Sequence, residues 1–188
     1  MSDRQQLLRN ALHLGTGVAA PWILFVPRIW ALAGLLLALA VTLGVDFGRR
    51  HPGFRQTIDT CLPGVFRTDE RAGVSGASLL AAGYLLAAAV FPAPAAAGGI
   101  LALAVGDPAA AVVGRWYSAR HKLEGKTWAG SLACFGSTWL ALWALPPWSA
   151  TVAMAGAAMT ALIERRTGRL DNLLIPSGVA LLLNLWIR

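Results

Sequence analysis

The stretch AAAGGILALAVGDPAAAVV, residues 95–113, decides the class of fold. Its 19 residues carry one charged side chain, Asp107, and a helix that crosses a bilayer needs about 20 mostly apolar residues. Other apolar segments of similar length lie on both sides of it. The pattern predicts an all-α integral membrane protein, a bundle of about seven transmembrane helices. The predicted spans are residues 10–27, 29–45, 77–92, 95–113, 129–146, 149–163 and 172–187.

The overall composition agrees with a membrane protein. Of the 188 residues, 56% are apolar and 13% are charged, and the mean hydropathy is +0.59. A soluble domain usually carries about 25% charged residues. This composition excludes intrinsic disorder, and the two cysteines, Cys61 and Cys134, are too few for a disulfide scaffold. We expect a single transmembrane domain over residues 1–188 with both thiols free.

The positive charges indicate an orientation. With the N-terminus in the cytoplasm and seven spans, 14 of the 16 lysines and arginines fall on the cytoplasmic side, and only Arg28 and Arg188 fall outside. Cytoplasmic loops of membrane proteins carry such an excess. The net charge of +7 is therefore interpreted as a topology signal, with no nucleic-acid partner. We expect a protein of the bacterial inner membrane, with its C-terminus outside and its active site facing the cytoplasm.

Asp107 is the first candidate functional residue. A carboxylate inside an apolar helix is costly, and such residues usually mark a functional site. Gly106 before it allows another backbone or a ligand to come close. Pro108 after it kinks the helix or frees a nearby carbonyl. A structural ion pair with a neighbouring arginine is the alternative explanation.

The polar residues that follow Asp107 suit a phosphate-rich anion. Basic side chains, hydroxyls and glycines precede or open a helix, and helix N-termini bind phosphates. Asp107 would suit Mg²⁺ bridging those phosphates. Alternatively, the basic residues serve only membrane topology. The candidates for phosphate binding are Gly106, Gly114, Arg115, Arg120, Lys122, Lys126, Thr127, Gly130 and Ser131.

Three further polar clusters belong to the same predicted face. Arg9 and His13 share one side of the first helix, and Asp46, Arg49 and Arg50 end the second. A packing histidine and an interfacial salt bridge are the alternative interpretations of these two clusters.

The last cluster contains carboxylates. Glu164 ends the sixth span, and Asp171 with Asn172 opens the seventh. Glu164 and Asp171 could supply a second carboxylate for a metal or a general base. Asp171 is equally suited to cap its helix.

Taken in order, these motifs resemble one known family over nearly the whole chain. It is the family of dolichol kinase, phytol kinase and the yeast-type CTP-dependent diacylglycerol kinase. The motifs are Arg9-x-x-x-His13-x-x-x-Gly17, Asp46-Phe47-x-Arg49-Arg50, Gly106-Asp107-Pro108-Ala109, Gly114-Arg115, Gly125-Lys126-Thr127-x-Ala129-Gly130-Ser131-Leu132, Glu164 and Asp171-Asn172-Leu173-x-x-Pro176.

The resemblance implies transfer of the γ-phosphate of CTP to a membrane lipid alcohol, with Mg²⁺ or another divalent cation. It assigns Asp107 to the metal or to activation of the hydroxyl, and the basic and hydroxyl residues, with Asn172, to the nucleotide. Ala129 stands where dolichol and phytol kinases often carry Glu. This difference favours diacylglycerol as the acceptor over phytol or a polyprenol.

Two other functions stay open. The family resembles phosphatidate cytidylyltransferases, which make a CDP-lipid and release pyrophosphate. Their paired aspartates near the C-terminus are replaced here by Asp171-Asn172. A small transporter or lipid scramblase is the alternative of another class, although charge on only one face argues against it. Two copies could pair as a homodimer.

Overall fold

A computed structural model describes residues 3–61, 73–122 and 125–187, and within these ranges the chain is helical with no strand. This confirms the all-α class. Two short 3-10 helices, Thr16–Val18 and Gly168–Leu170, interrupt the helical run. The α-helices of the described ranges are α1 (Asp3–Gly15), α2 (Ala19–Phe25), α3 (Arg28–Gly48), α4 (Pro52–Cys61), α5 (Gly76–Val90), α6 (Ala93–His121), α7 (Trp128–Ala144), α8 (Ala150–Thr167) and α9 (Asp171–Asn184).

Each predicted span overlaps a helix, but within the ranges that the structure describes two helices are long and apolar enough to cross a membrane. These are α3, with 21 residues, and α6, with 29 residues. Helix α5 is apolar but has only 15 residues. The predicted span 10–27 is not one helix, because the 3-10 turn separates α1 from α2. Two candidate spans are therefore observed, and the bundle of seven stays a prediction.

Helix α6 is longer than the sequence interpretation placed it. The prediction ended this span at residue 113, with Gly114 and Arg115 closing it, whereas the helix continues to His121. The helix accommodates Gly114, and the other added residues, 115–121, lower the hydropathy but contain neither glycine nor proline, so they do not break it. It ends at Lys122, whose φ of 52° is left-handed.

Helix α6 is the centre of the packing. It contacts α1, α2, α5, α7, α8 and α9. Its first half is buried and made almost entirely of alanine and glycine. Small side chains let helices approach closely. At Gly99 the approach is closest, since an added Cβ would overlap the carbonyl oxygen of Pro176 on α9.

The two cysteines are both free thiols, as predicted. Cys61 is exposed at the end of α4, and Cys134 is buried in α7.

The α6–α9 contact can be tested by adding one methyl group. Gly99→Ala is expected to lower the free energy of unfolding by about 1–3 kcal/mol, because the backbone of α9 must shift to make room. Gly136→Ala on α7 is the matched control, since an added Cβ there meets nothing within 4 Å. Thermal unfolding in detergent, followed by tryptophan fluorescence, measures both. Equal midpoints for the two variants would contradict the packing described.

Candidate functional site

A polar cavity of about 230 Å³ lies where the ends of several helices meet. One wall is the polar side of α1, and the floor is α6 from Asp107 to Ser118. The opposite walls are the segment from Gly125 to Ser131, the end of α8, and the start of α9. Residues from distant parts of the sequence are therefore brought to one place.

Most of the residues predicted from the sequence line this cavity. They come from four segments of the sequence, which surround His13, Asp107, Lys126 and Glu164. The predicted residues that line it are Arg9, His13, Asp107, Gly114, Arg115, Lys126, Thr127, Gly130, Ser131, Glu164, Asp171 and Asn172.

Three predicted phosphate ligands lie outside the cavity lining. Gly106 is buried, and a Cβ added there would lie 2.6 Å from the hydroxyl of Thr138, so it serves close packing against α7. Arg120 is exposed, and its guanidinium carbon lies 5.2 Å from the centre of the Trp116 ring. Lys122 is exposed at the end of α6.

Asp46, Arg49 and Arg50 also lie elsewhere. Asp46 joins α3 to the start of α5, because one of its carboxylate oxygens accepts hydrogen bonds from Ser75 and Ser78 at 2.6–3.0 Å. Its other oxygen lies 3.5 Å from the Arg49 guanidinium. This arrangement agrees with the salt bridge that the sequence left as an alternative.

Asp107 faces the cavity from the middle of α6. Its carboxylate lies 3.7 Å from Nδ1 of His13, and 29% of its side chain is exposed. The Nε2 atom of His13 is buried without a hydrogen-bond partner. A partly exposed carboxylate whose partner lies 3.7 Å away can bind a cation, or it can accept a proton from a bound molecule.

On the side of the cavity opposite Asp107, Lys126 contacts the carboxylates of Glu164 and Asp171. Its ammonium lies 2.8 Å from the Glu164 carboxylate and 3.8 Å from the Asp171 carboxylate, and it also donates to the backbone carbonyl of Glu164. Glu164 and Asp171 are buried, whereas 37% of the Lys126 side chain is exposed. Two acids therefore hold the Lys126 ammonium in position, and they also neutralise its charge.

Asp171 is the first residue of α9 and precedes the predicted span 172–187, and Leu170 occupies the N-cap position. Burial, and after it the charge of Asp107, raise the pKa of its carboxyl group to about 6. Lys126 acts in the opposite direction. At pH 7 a group with this pKa is mostly ionised and can pair with Lys126. Its backbone role is a hydrogen bond from the N–H of Asn172 at 2.8 Å.

The N-terminus of α7 opens into the cavity. Thr127 caps this helix, because its hydroxyl accepts from the N–H of Gly130 at 3.1 Å. Gly130 packs tightly on α6, where an added Cβ would lie 2.9 Å from the carbonyl oxygen of Ala110. Ser131 accepts a hydrogen bond of 3.3 Å from Arg165. The Ser131 hydroxyl, the Lys126 ammonium and a nearby guanidinium suit an anion.

Arg165 and two amides on α1 were missed by the sequence interpretation. Arg165 reaches Ser131 and lies with its guanidinium carbon 3.8 Å from the Trp128 ring centre. Asn10 is buried in the cavity wall, and its NH₂ has no hydrogen-bond partner among the described residues, although Gln6 donates to its oxygen at 3.4 Å. The spacing of Gln6, Asn10 and His13 on one helical face was the available signal.

The acidic residues do not form a compact metal cluster. In the ranges that the structure describes, no group of three or more His, Cys, Asp or Glu residues could hold a metal ion by itself. Mg²⁺ in phosphate-transfer sites commonly uses one or two carboxylates together with substrate phosphates. Asp107 fits that use, because its carboxylate is open to the cavity.

Comparisons with known proteins add no family assignment. No family model matches the chain, and neither does any curated protein or solved structure. The resemblance noted in the motifs therefore stays a hypothesis that depends on the residues and on their arrangement in the cavity.

A stability measurement tests whether the buried side-chain amide of Asn10 contributes to the fold. A buried amide without a partner costs stability, about 1–3 kcal/mol, so Asn10→Leu is expected to preserve or raise the unfolding midpoint. Asn172→Leu is the matched control, because the Asn172 side chain donates to the carbonyl of Gly76 at 2.9 Å and its loss is expected to destabilise. Thermal unfolding measures both, and a lower midpoint for Asn10→Leu than for Asn172→Leu would contradict this account.

Proposed function

We propose that this chain is a CTP-dependent membrane lipid kinase that transfers a γ-phosphate to a lipid alcohol, with diacylglycerol as the favoured acceptor. One observation carries the proposal. Most residues of the motif set, which are scattered over more than 160 positions from Arg9 to Asn172, line a single cavity. That cavity has an open carboxylate on one side and cationic groups on the other.

The nucleotide phosphates are assigned to the α7 side. Lys126 supplies a positive charge, and Arg115 lines the same cavity. Arginine, lysine and a helix N-terminus are the groups that proteins use to hold phosphates. Ser131 adds a hydroxyl, and Asn172 lies at the cavity edge.

The lipid is assigned to the bilayer side of the same cavity. Leu7, Trp128 and Leu132, each next in sequence to a residue that lines the cavity, expose 65%, 72% and 68% of their surfaces. Large exposed apolar surfaces of this kind suit contact with lipid chains. A seven-span arrangement with a cytoplasmic N-terminus would bring the polar cavity to the cytoplasmic interface.

The reaction joins these two sides. The lipid hydroxyl oxygen forms a bond to the γ-phosphorus, the bond from that phosphorus to the β–γ bridging oxygen breaks, and CDP leaves. Asp107 accepts the hydroxyl proton or, in its other assigned role, binds the cation. Lys126 and Arg115 balance the negative charge on the transferring group. Positioning and charge neutralisation account for most catalysis of phosphoryl transfer.

Mg²⁺ is assigned to Asp107 together with the nucleotide phosphates. Its contribution, when bound, is to neutralise charge on the phosphates. Glu164 and Asp171 are the further candidate ligands, and in the structure both carboxylates already contact Lys126. These two acids therefore also position the lysine that faces the nucleotide.

Replacing the open carboxylate tests the proposal directly. The purified protein in lipid nanodiscs is incubated with Mg²⁺, γ-labelled CTP and diacylglycerol. The wild type is expected to place label in the lipid. Asp107→Asn is expected to lose at least about 10²-fold in rate, because its amide can neither take the proton nor bind the cation strongly. An unchanged unfolding midpoint shows that the variant is folded, and wild-type activity in Asp107→Asn would refute the assignment.

A second variant tests nucleotide binding separately from catalysis. Lys126→Met is expected to weaken binding of Mg²⁺·CTP by about 10–100-fold, since a hydrogen bond to a charged group contributes about 1.5–3 kcal/mol. Arg166→Met removes the same charge from an exposed position outside the cavity and serves as the control. Calorimetric titration gives both affinities. Equal affinities would place the triphosphate away from Lys126.

A further inference from the structure

A second cavity lies at the cytoplasmic end assigned to α3, away from Asp107. It measures about 440 Å³, and three of the described residues that line it are arginines. Its lining residues are Arg49, Arg50, Pro52, Arg55, Gln56 and Thr60. The proposed kinase chemistry makes no use of this cavity.

One of the arginines is held firmly in place. Arg49 is 5% exposed, and its guanidinium lies 3.5 Å from Oδ1 of Asp46. Oδ2 of Asp46 already accepts from Ser75 and Ser78, so this acid is fixed by α5. The position of the Arg49 guanidinium is therefore set by the junction of α3 and α5, before any ligand arrives.

The other wall is an amphipathic helix. Phe54 and Ile58 lie one turn apart on one face of α4, with Cys61 one turn further, whereas Arg55, Gln56 and Thr60 face the cavity. Helices with one apolar and one polar face lie in the interface of a membrane. Helix α4 carries one basic residue, Arg55, and one acidic residue, Asp59.

The apolar face of α4 is anchored on α3. An added Cβ at Gly48 would lie 2.8 Å from the Phe54 ring, so the ring rests directly on the α3 backbone. The guanidinium carbon of Arg50 lies 5.4 Å from the centre of the Phe47 ring. These contacts keep the basic side chains near the point where α3 ends.

The position of this cavity suits the binding of a lipid headgroup. Helix α3 is a candidate membrane span that ends at Gly48. A cavity beside that end lies at the level of the lipid phosphates. Leu43 and Phe47 expose 43% and 62% of their surfaces close to it, which offers an apolar path for acyl chains. A soluble phosphate would use the guanidinium groups but would have no use for this apolar surface.

We infer that the cavity between the end of α3 and α4 binds the phosphate group of an anionic phospholipid. The inference rests on the membrane insertion of α3 and not on the kinase activity. Guanidinium groups recognise phosphate oxygens through paired hydrogen bonds, and each basic side chain near an anionic leaflet adds to the affinity. The lipid would tie α4 to the membrane surface.

Native mass spectrometry of the purified full chain tests this inference. The protein in detergent is mixed with equal amounts of phosphatidylglycerol and phosphatidylcholine, and the retained lipids are counted. The wild type is expected to retain phosphatidylglycerol selectively. Arg50→Gln is expected to weaken that retention about fivefold, as fits one basic contact at an anionic surface. Arg50→Lys, which keeps the charge, is expected to retain most of it.

Arg166→Gln is the matched control, because Arg166 is exposed at the end of α8 and lines neither cavity. It is expected to bind lipid as the wild type does. Three results would overturn the inference: no preference for phosphatidylglycerol in the wild type, an equal loss in Arg166→Gln, or displacement of the lipid by millimolar inorganic phosphate. The last result would identify a site for a soluble anion. Because the readout is lipid retention, it is independent of any kinase assay.

Discussion

The close packing of α6 against α7 and α9 is the constraint on which the candidate site depends. Gly99 of α6 lies against the backbone of α9, and further along α6 the carbonyl of Ala110 lies against Gly130 of α7. Because no side chain separates the helices at these two contacts, the start of α7 and the start of α9 reach the part of α6 that carries Asp107. Larger residues at these contacts would move Lys126 and Asp171 away from Asp107.

The charged side chains in the cavity form two separate sets of contacts. Glu164 and Asp171 are buried and face the ammonium of Lys126, whereas the Asp107 carboxylate lies 3.7 Å from His13. Buried carboxylates need a cationic partner, because an unpaired charge in a low-dielectric interior is costly. Lys126 satisfies them and still exposes part of its side chain. The arrangement is suited to an anionic ligand that binds between Lys126 and Asp107.

The sequence predicted the helices and the core of the site for identifiable reasons. Apolar runs mark helices, and a carboxylate inside such a run stands out, so Asp107 was found. The length of α6 was underestimated because Arg115 and Arg120 lower the hydropathy without breaking the helix. Asn10 was missed because a neutral amide leaves no signal in charge or composition. Asp46 and Arg49 were grouped with the site because a sequence does not show that α3 packs on α5.

Photo-cross-linking with a CTP analogue that carries an azidoanilide on its γ-phosphate tests the central claim, that one cavity receives the nucleotide. Peptides from irradiated wild-type protein are mapped by mass spectrometry, with and without excess Mg²⁺·CTP. The account predicts adducts in the segments around Asp107, Lys126 and Ser131 that the competitor removes. Adducts confined to residues 49–60, or adducts that CTP does not displace, would contradict it.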